Sequence, residues 1–206
     1  MEAVEVFSIL KNEIHSTVFA TIDNDDLPQT CVIDIMLYDD VSLYFITAKG
    51  KAFYDRLMSR GYVAFSGMKG RDTLSTVAIS VRGRVRNIGS ALLSRVFEEN
   101  PYMAEIYKSE ESRTALEVFQ LYEGEGEYFD LSCLPPKRET FAFGGKQLKS
   151  MGYEITEKCT GCGACVKICP IGCIIPNGNR FTVQEKNCIH CGNCFDICSS
   201  GAVRKR

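Results

Sequence analysis

Long apolar runs, an excess of either charge, and paired histidines are all missing from this 206-residue chain. No stretch approaches the ~18 consecutive apolar residues of a membrane span. The opening "MEAVEVFSILKNEIHS" is mixed in charge where a secretory leader would carry an apolar core. Lys and Arg number 24 against 26 Asp and Glu, a formal net charge of -2, so there is no broad basic field to attract nucleic acid. His15 and His190 are the only histidines, and no carboxylate pair accompanies either, so neither a hydrolytic triad nor a mononuclear hydrolytic metal site is expected. These absences predict a cytoplasmic protein without nucleic-acid or membrane partners.

Cysteine is scarce until residue 159 and then abundant: Cys31 and Cys133 stand alone, and the rest of the 11 fall between Cys159 and Cys198. A secreted disulfide framework normally pairs an even set spread along the chain. A tight cluster of thiols in a reducing compartment instead implies thiolates around an inorganic centre.

The tail is an internal duplication. Cys159, Cys162, Cys165 and Cys169 recur 29 residues later as Cys188, Cys191, Cys194 and Cys198, with Gly163 matching Gly192, Ile168 matching Ile197 and Gly172 matching Gly201. Each half reads C-x2-C-x2-C-x3-C, the run that holds a [4Fe–4S] cluster and lends its fourth cysteine to the neighbouring cluster. Structural zinc usually takes two C-x2-C pairs across a longer spacer and is the weaker reading. Tyr153 to Arg206 resembles the bacterial-type two-cluster ferredoxins. That resemblance implies one cluster on Cys159, Cys162, Cys165 and Cys198, and the other on Cys188, Cys191, Cys194 and Cys169. Pro170 follows the first run as in that family, whereas Ser199 replaces the second proline. Cys173 aligns with Ala202 and reads as a small packed residue. His190 aligns with Gly161 and reads as a loop residue or a donor to a ligand.

The first 145 residues follow a different period. "TVFATID", "QTCVIDIMLYDD" and "VSLYFIT" alternate as strands around the turn "NDDLP" and read as an antiparallel meander. "GKAFYDRLMSRG" reads as a helix with Phe53, Leu57 and Met58 on one face, ending at Gly61. "YVAFSGM" and "STVAISVRGRVRNI" return to strands, "SALLSRVFEEN" gives a second helix, and "ALEVFQLYEGEGEYFDL" a last strand with a glycine-broken bend. Many strands with a few inserted helices define a mainly β, α+β barrel. Tyr44, Phe45 and Phe53 are assigned to its core. Arg82, Arg84 and Arg86 alternate along one strand, facing either an anion or solvent.

"VFATIDNDDLPQTCVID", "LYFITAKGKAFYDRL" and "VRGRVRNI" together resemble the FMN-binding split β-barrels of the pyridoxamine 5'-phosphate oxidase-like superfamily. Members are typically homodimers with FMN in a groove at the subunit interface. By that resemblance Thr47 and Lys51 hold the FMN phosphate, Ile46 supplies a backbone contact, and Val32, Ile33 and Asp34 run along the flavin. In "ITAKGK", a strand end, a glycine turn and a helix start with free N–H groups converge as an anion site requires. Cys31 stands where the better-known oxidases have a phosphate-binding arginine. Cys31 and Cys133 themselves carry no partner motif and read as inert thiols.

The expected organisation is a flavin-binding barrel over residues 1–145, a linker over 146–153 and a two-cluster ferredoxin domain over 154–206. The connector "PPKRETFAFGGKQLKSMGYEIT" shows no sustained periodicity, with Phe141 and Phe143 packed. The implied function is an iron–sulfur flavoprotein oxidoreductase passing electrons between two [4Fe–4S] clusters and FMN, with a redox protein or small molecule as partner. The alternatives are a non-catalytic electron carrier, or a ligand-binding or sensing barrel for haem or deazaflavin fused to a ferredoxin module. In any of these the cofactors carry the chemistry.

Overall fold

The computed structural model describes residues 1–148 and 151–206. Its elements in chain order are α1 (Ala3–Ile9), running into a π-helical turn (Leu10–Ile14), β1 (Ser16–Ile22), β2 (Pro28–Asp34), β3 (Leu37–Tyr38), β4 (Leu43–Ala48), α2 (Ala52–Arg60), β5 (Tyr62–Lys69) and β6 (Val77–Asn87). Then come α3 (Leu93–Glu99), α4 (Met103–Ile106), α5 (Glu110–Arg113), β7 (Leu116–Asp130) and β8 (Lys137–Phe143). The tail holds β9 (Tyr153–Ile155), α6 (Ala164–Ile168), β10 (Ile174–Asn177), β11 (Arg180–Val183), α7 (Asn193–Asp196) and β12 (Val203–Lys205). Among the described residues no helix is long and apolar enough to cross a membrane.

The chain forms two compact units. The first comprises Met1–Lys69, Ala78–Tyr128 and Thr140–Gln147; the second comprises Gly70–Val77, Phe129–Glu139 and the tail from Leu148. The expected 146–153 linker includes Lys149 and Ser150, which lie outside the described residues.

In the first unit an 8-stranded sheet runs β2-β1-β5-β6-β7-β4-β3, with β8 also on β7, and curls into a split barrel. Strand alternation fills its interior. β5 buries every second residue, Val63, Phe65 and Gly67, and β6 buries Val77, Ile79, Val81, Gly83 and Val85. Register then brings rings together: Phe19 lies opposite Phe65 and Phe45 opposite Phe119. Their centroids are 4.5 and 5.7 Å apart, with Phe19 and Phe45 at 4.8 Å between the pairs. Phe53 and Leu57, one turn apart on α2, bury onto this core. Met58, expected on the same face, is 55% exposed, because a five-residue step on a helix rotates it away.

Three further expectations need correcting. The β1–β2 and β3–β4 hairpins are not one meander but lie at opposite ends of the strand order. The buried residues Ile35 and Met36 carry the chain across the seam: Ile35 N–H donates to His15 O (2.9 Å) and Met36 N–H to Tyr44 O (2.8 Å). The connector contains a strand, β8, which packs Phe141 and Phe143 into the barrel. β7 is not broken by its glycines. A Cβ at Gly126 would stand 2.4 Å from Phe141 Cζ and 2.6 Å from Ser80 O, and one at Gly124 would stand 2.7 Å from Phe143 Cζ. These glycines make room for the two rings of β8.

In the second unit the strands pair across the repeat: β9 with β12 and β10 with β11, each pair joining one strand from each half. The buried cluster of this unit consists of Cys165, Cys173, Ile174, Cys188, Cys194 and Val203, so thiols occupy much of its interior.

Gly126→Ala should cost about 1–3 kcal/mol through overpacking against Phe141 and the Ser80 carbonyl. A thermal melt of the variant should show a clear drop; an unchanged midpoint would mean that β8 shifts without cost.

Candidate functional site

The two cysteine runs begin alike. Gly163 and Gly192 adopt left-handed backbone (φ 73° and 88°) and launch α6 and α7, turning the chain so that Cys165 and Cys194 face inward. Cys159, Cys162, Cys165 and Cys198 line one small cavity, together with Phe181, Ser200 and Ala202. Cys169, Cys188, Cys191 and Cys194 line a second, together with Cys173, Pro170, Ile171 and Tyr153. Each cavity thus gathers three thiols of one run and the last thiol of the other. Among the described residues no three His, Cys, Asp or Glu side chains converge closely enough to hold a single metal ion. The thiols instead stand around spaces, which suits a polynuclear cluster and not tetrahedral zinc with its ~2.3 Å bonds to sulfur.

Two kinds of thiol face these spaces. Burial pushes the Cys165 thiol up and raises Cys194 to about 11. The two exchanged cysteines go the other way. At Cys169 burial is outweighed by the amides of Ile171 and Cys173, and at Cys198 the Ser200 hydroxyl leads, followed by the amides of Val203 and Ala202. The Ala202 N–H reaches Cys198 Sγ at 3.3 Å. Donors of this kind favour the thiolate that iron requires.

Cys173 is 3% exposed and packed, as its alignment with Ala202 implies, yet it also lines the second cavity, with its sulfur 3.6 Å from that of Cys169. His190 has φ 57° and its ring lies over the Gly152 backbone.

On the barrel, the expected flavin residues divide. Val32 is 67% exposed on β2 and pairs with Val18, itself exposed on β1. Ile33 is half-buried, and its carbonyl accepts from Thr17 Oγ1. Asp34 is already engaged: it accepts from Ser16 Oγ (2.6 Å) and Tyr102 OH (2.9 Å), and His15 Nε2 lies 3.5 Å away. Burial, then the bond to Asp34, pushes the Tyr102 hydroxyl up. This His15–Tyr102–Asp34 group escapes sequence reading because its members come from a π-helical turn, a short helix flank and a strand.

Ile46 and Thr47 are buried on β4, and the Thr47 hydroxyl is the one buried side-chain N or O atom among the described residues without a hydrogen-bond partner. Lys51 is exposed at the start of α2. Burial pushes the Cys31 thiol up, against the pull of the Arg56 and Lys51 charges. An orphaned hydroxyl, a helix start and two cations fit an anionic phosphate.

A separate open cleft of about 620 Å3 is lined by Lys49, Ser90, Leu93, Glu110, Arg113, Thr114, Leu116 and Glu117, and includes none of the six expected flavin residues. The arginines of β6 face outward with partners: Arg82 pairs with Glu125 (2.7 Å), Arg84 with Glu123 (3.5 Å), and Arg86 donates to Gln120 Oε1 (2.7 Å). They form a solvated sheet face.

Comparison with known proteins agrees with this division. Residues 158–203 match the family model for a 4Fe-4S dicluster domain. No curated protein matches the chain at a significant level. Among solved structures, a NimC/NimA family protein from Clostridium acetobutylicum is similar with TM-score 0.56 and 18% identity, covering 69% of this chain and 95% of its own. A protein of the same organism related to general stress protein 26, of the pyridoxinephosphate oxidase family, gives 0.53 and 11%, covering 67% and 92%. A heme binding protein from Mycobacterium smegmatis gives 0.53 and 10%, covering 68% and 57%. The chain therefore carries a 4Fe-4S dicluster domain over residues 158–203 and, before it, a sheet with the split-barrel fold. Its barrel shares the fold of the pyridoxamine phosphate oxidase and NimC group.

Glu117 makes one pH prediction. Asn87, then Tyr54, donate to its carboxylate, and Lys49 lies 3.5 Å away, so its pKa is held below the usual glutamate range. A carboxylate with a depressed folded pKa stabilises fully above its unfolded value of about 4.3 and loses that stabilisation as pH falls through the lower folded value. Glu117→Gln should therefore be less stable than the parent near neutral pH, with the gap closing below about pH 4. Urea melts across pH 3 to 7 would check this; a constant gap would refute it.

Proposed function

We propose that the protein is an iron–sulfur flavoprotein oxidoreductase that passes electrons between two [4Fe–4S] clusters and FMN. The observation that carries this reading is the pair of cavities, each gathering three thiols of one run and one of the other. Cys159, Cys162, Cys165 and Cys198 would hold one cluster, and Cys188, Cys191, Cys194 and Cys169 the other. We propose as functional domains the barrel over 1–145, the linker over 146–153 and the ferredoxin domain over 154–206.

On the barrel, Thr47 and Lys51 would bind the FMN phosphate, with Arg56 supplying charge near Cys31 and Ile46 a main-chain contact. Val32, Ile33 and Asp34 would border the ring. When bound, flavin supplies two-electron chemistry and each cluster one-electron transfer. The residues of this chain do the rest. The exchanged cysteines clip the two halves of the tail together, the amides after Cys169 and Cys198 favour thiolate, and Tyr102 and Ser16 hold the Asp34 carboxylate in a fixed orientation. The exposed Val18 and Val32 favour a homodimer through the β1–β2 face, in keeping with barrels that bind flavin between subunits. A cytoplasmic location fits free thiols, and the redox partner is a protein or small molecule.

A haem-binding or sensing barrel is the second reading, since one similar structure binds heme. The unpartnered Thr47 hydroxyl at the end of β4 and the exposed Lys51 before α2 favour a phosphate-bearing ligand, which haem is not.

Anaerobically purified protein should contain about eight irons and about eight sulfides per chain, and about one FMN released on denaturation. Eight irons with no flavin after reconstitution would leave a ferredoxin fused to another kind of barrel. Cys198→Ser and Cys169→Ser should each halve the iron to about four. Because the two cavities differ, the surviving clusters should give distinct paramagnetic resonance spectra. Identical residual spectra would refute the crossed ligand sets.

A further inference from the structure

The two halves of the tail repeat their ligands but not the residues next to them. After Cys198 come Ser200 and Ala202; at the matching positions after Cys169 come Ile171 and Cys173. Each half therefore has one side-chain donor beside its exchanged cysteine, of a different kind and at a different step. Ser200 Oγ lies 3.5 Å from Cys198 Sγ. Cys173 Sγ lies 3.6 Å from Cys169 Sγ, and Cys188, the first thiol of the other run, lines the same cavity. Cys173 is buried and lines the same cavity as the four sulfurs expected to bind iron there, and the first cavity has no fifth thiol.

This inference rests on the two-cluster reading above. We infer that Cys173 is a positioning residue that raises the reduction potential of the second cluster. With Cys169 and Cys188 bound to iron as thiolates, only Cys173 carries a proton to share, so its S–H donates to ligand sulfur of the second cluster. Adding one electron makes a cluster more negative. A donor to its sulfur stabilises that reduced state more than the oxidised one and raises the potential. No bond is made or broken and Cys173 is not itself oxidised. The first cluster receives a hydroxyl donor on Cys198; the second receives a thiol donor on Cys169. An electron entering the tail therefore meets two inequivalent sites, each tuned by a residue that binds no iron.

The test is a redox titration of intact, cluster-loaded protein, followed by paramagnetic resonance, on the parent and on Cys173→Ala, Cys173→Ser and Ser200→Ala. Iron is counted first. A parent protein without a second cluster overturns the two-cluster reading, and this inference with it. With both clusters present, C173A should lower one midpoint potential and leave the other unmoved, its reduction equilibrium falling about threefold to tenfold. Tenfold corresponds to about 59 mV for a one-electron couple. C173S, a stronger donor of similar size, should raise the same potential, and S200A should lower the other. Opposite shifts in C173A and C173S are not what a packing role would produce. If C173A fails to take up the second cluster, the C173S shift decides. Unmoved potentials in C173S, or equal movement of both potentials in any Cys173 variant, overturn the inference while leaving the two-cluster reading intact.

Discussion

The bond between iron and thiolate is the constraint on which the tail depends. In the second unit the buried cluster is built mostly from cysteine: Cys165, Cys173, Cys188 and Cys194 sit with Ile174 and Val203 beside the two thiol-lined cavities. A segment of this size rarely gains enough from apolar burial to offset its chain entropy, and small domains commonly add metal for that reason. If the thiols that line these cavities bind iron, ligand binding and folding would be one event, because they come together only in the folded chain. The barrel obeys a different rule. Its interior is closed by Phe19, Phe45, Phe53, Phe65 and Phe119, rings that bring large apolar area together without any cofactor. One chain thus joins a unit whose core is inorganic to a unit whose core is aromatic.

The same exchange governs backbone and ligands in the tail. Strand pairing joins β9 to β12 and β10 to β11, so neither half has a complete sheet. Cys169 and Cys198 sit just before the strands β10 and β12 that cross over, and each lands beside the other half's run. Duplication alone would make two equal sites. The exchange ties them into one folding unit, and the substitutions at 171/200 and 173/202 make them unequal.

What was legible in the sequence follows from how local each signal is. The dicluster domain could be read because iron–sulfur chemistry fixes both residue type and spacing within a dozen residues. The helix α2 could be read from Phe53, Leu57 and Gly61, although Met58 fell off the face. Strand β8 was hidden because Pro135, Pro136, Gly144 and Gly145 punctuate its flanks, and because Phe141 and Phe143 are satisfied by glycines on β7 some 17 residues earlier. Gly124 and Gly126 read as breaks in a strand for the same reason; their meaning lies on the neighbouring strand. The grouping of His15 and Tyr102 around Asp34 spans |i−j| of 87 and 68 and has no local pattern.

Charge distinguishes the two positive regions of the barrel. On β6, Arg82 and Arg84 face Glu125 and Glu123 across the sheet and Arg86 faces Gln120, so their charge is used within the fold. Cross-strand pairs at such exposure contribute little and leave nothing for a ligand. Near Cys31 the balance differs. Arg56 Nε donates to Thr21 Oγ1, a neutral oxygen, so its positive charge is oriented there but not cancelled by that bond. Lys51 is exposed at the helix start and the Thr47 hydroxyl is unsatisfied. An uncompensated hydroxyl in a buried position costs stability unless something completes it. Of the two positive regions, the one around Lys51 and Arg56 is therefore the one whose charge the side-chain bonds of the fold leave uncancelled.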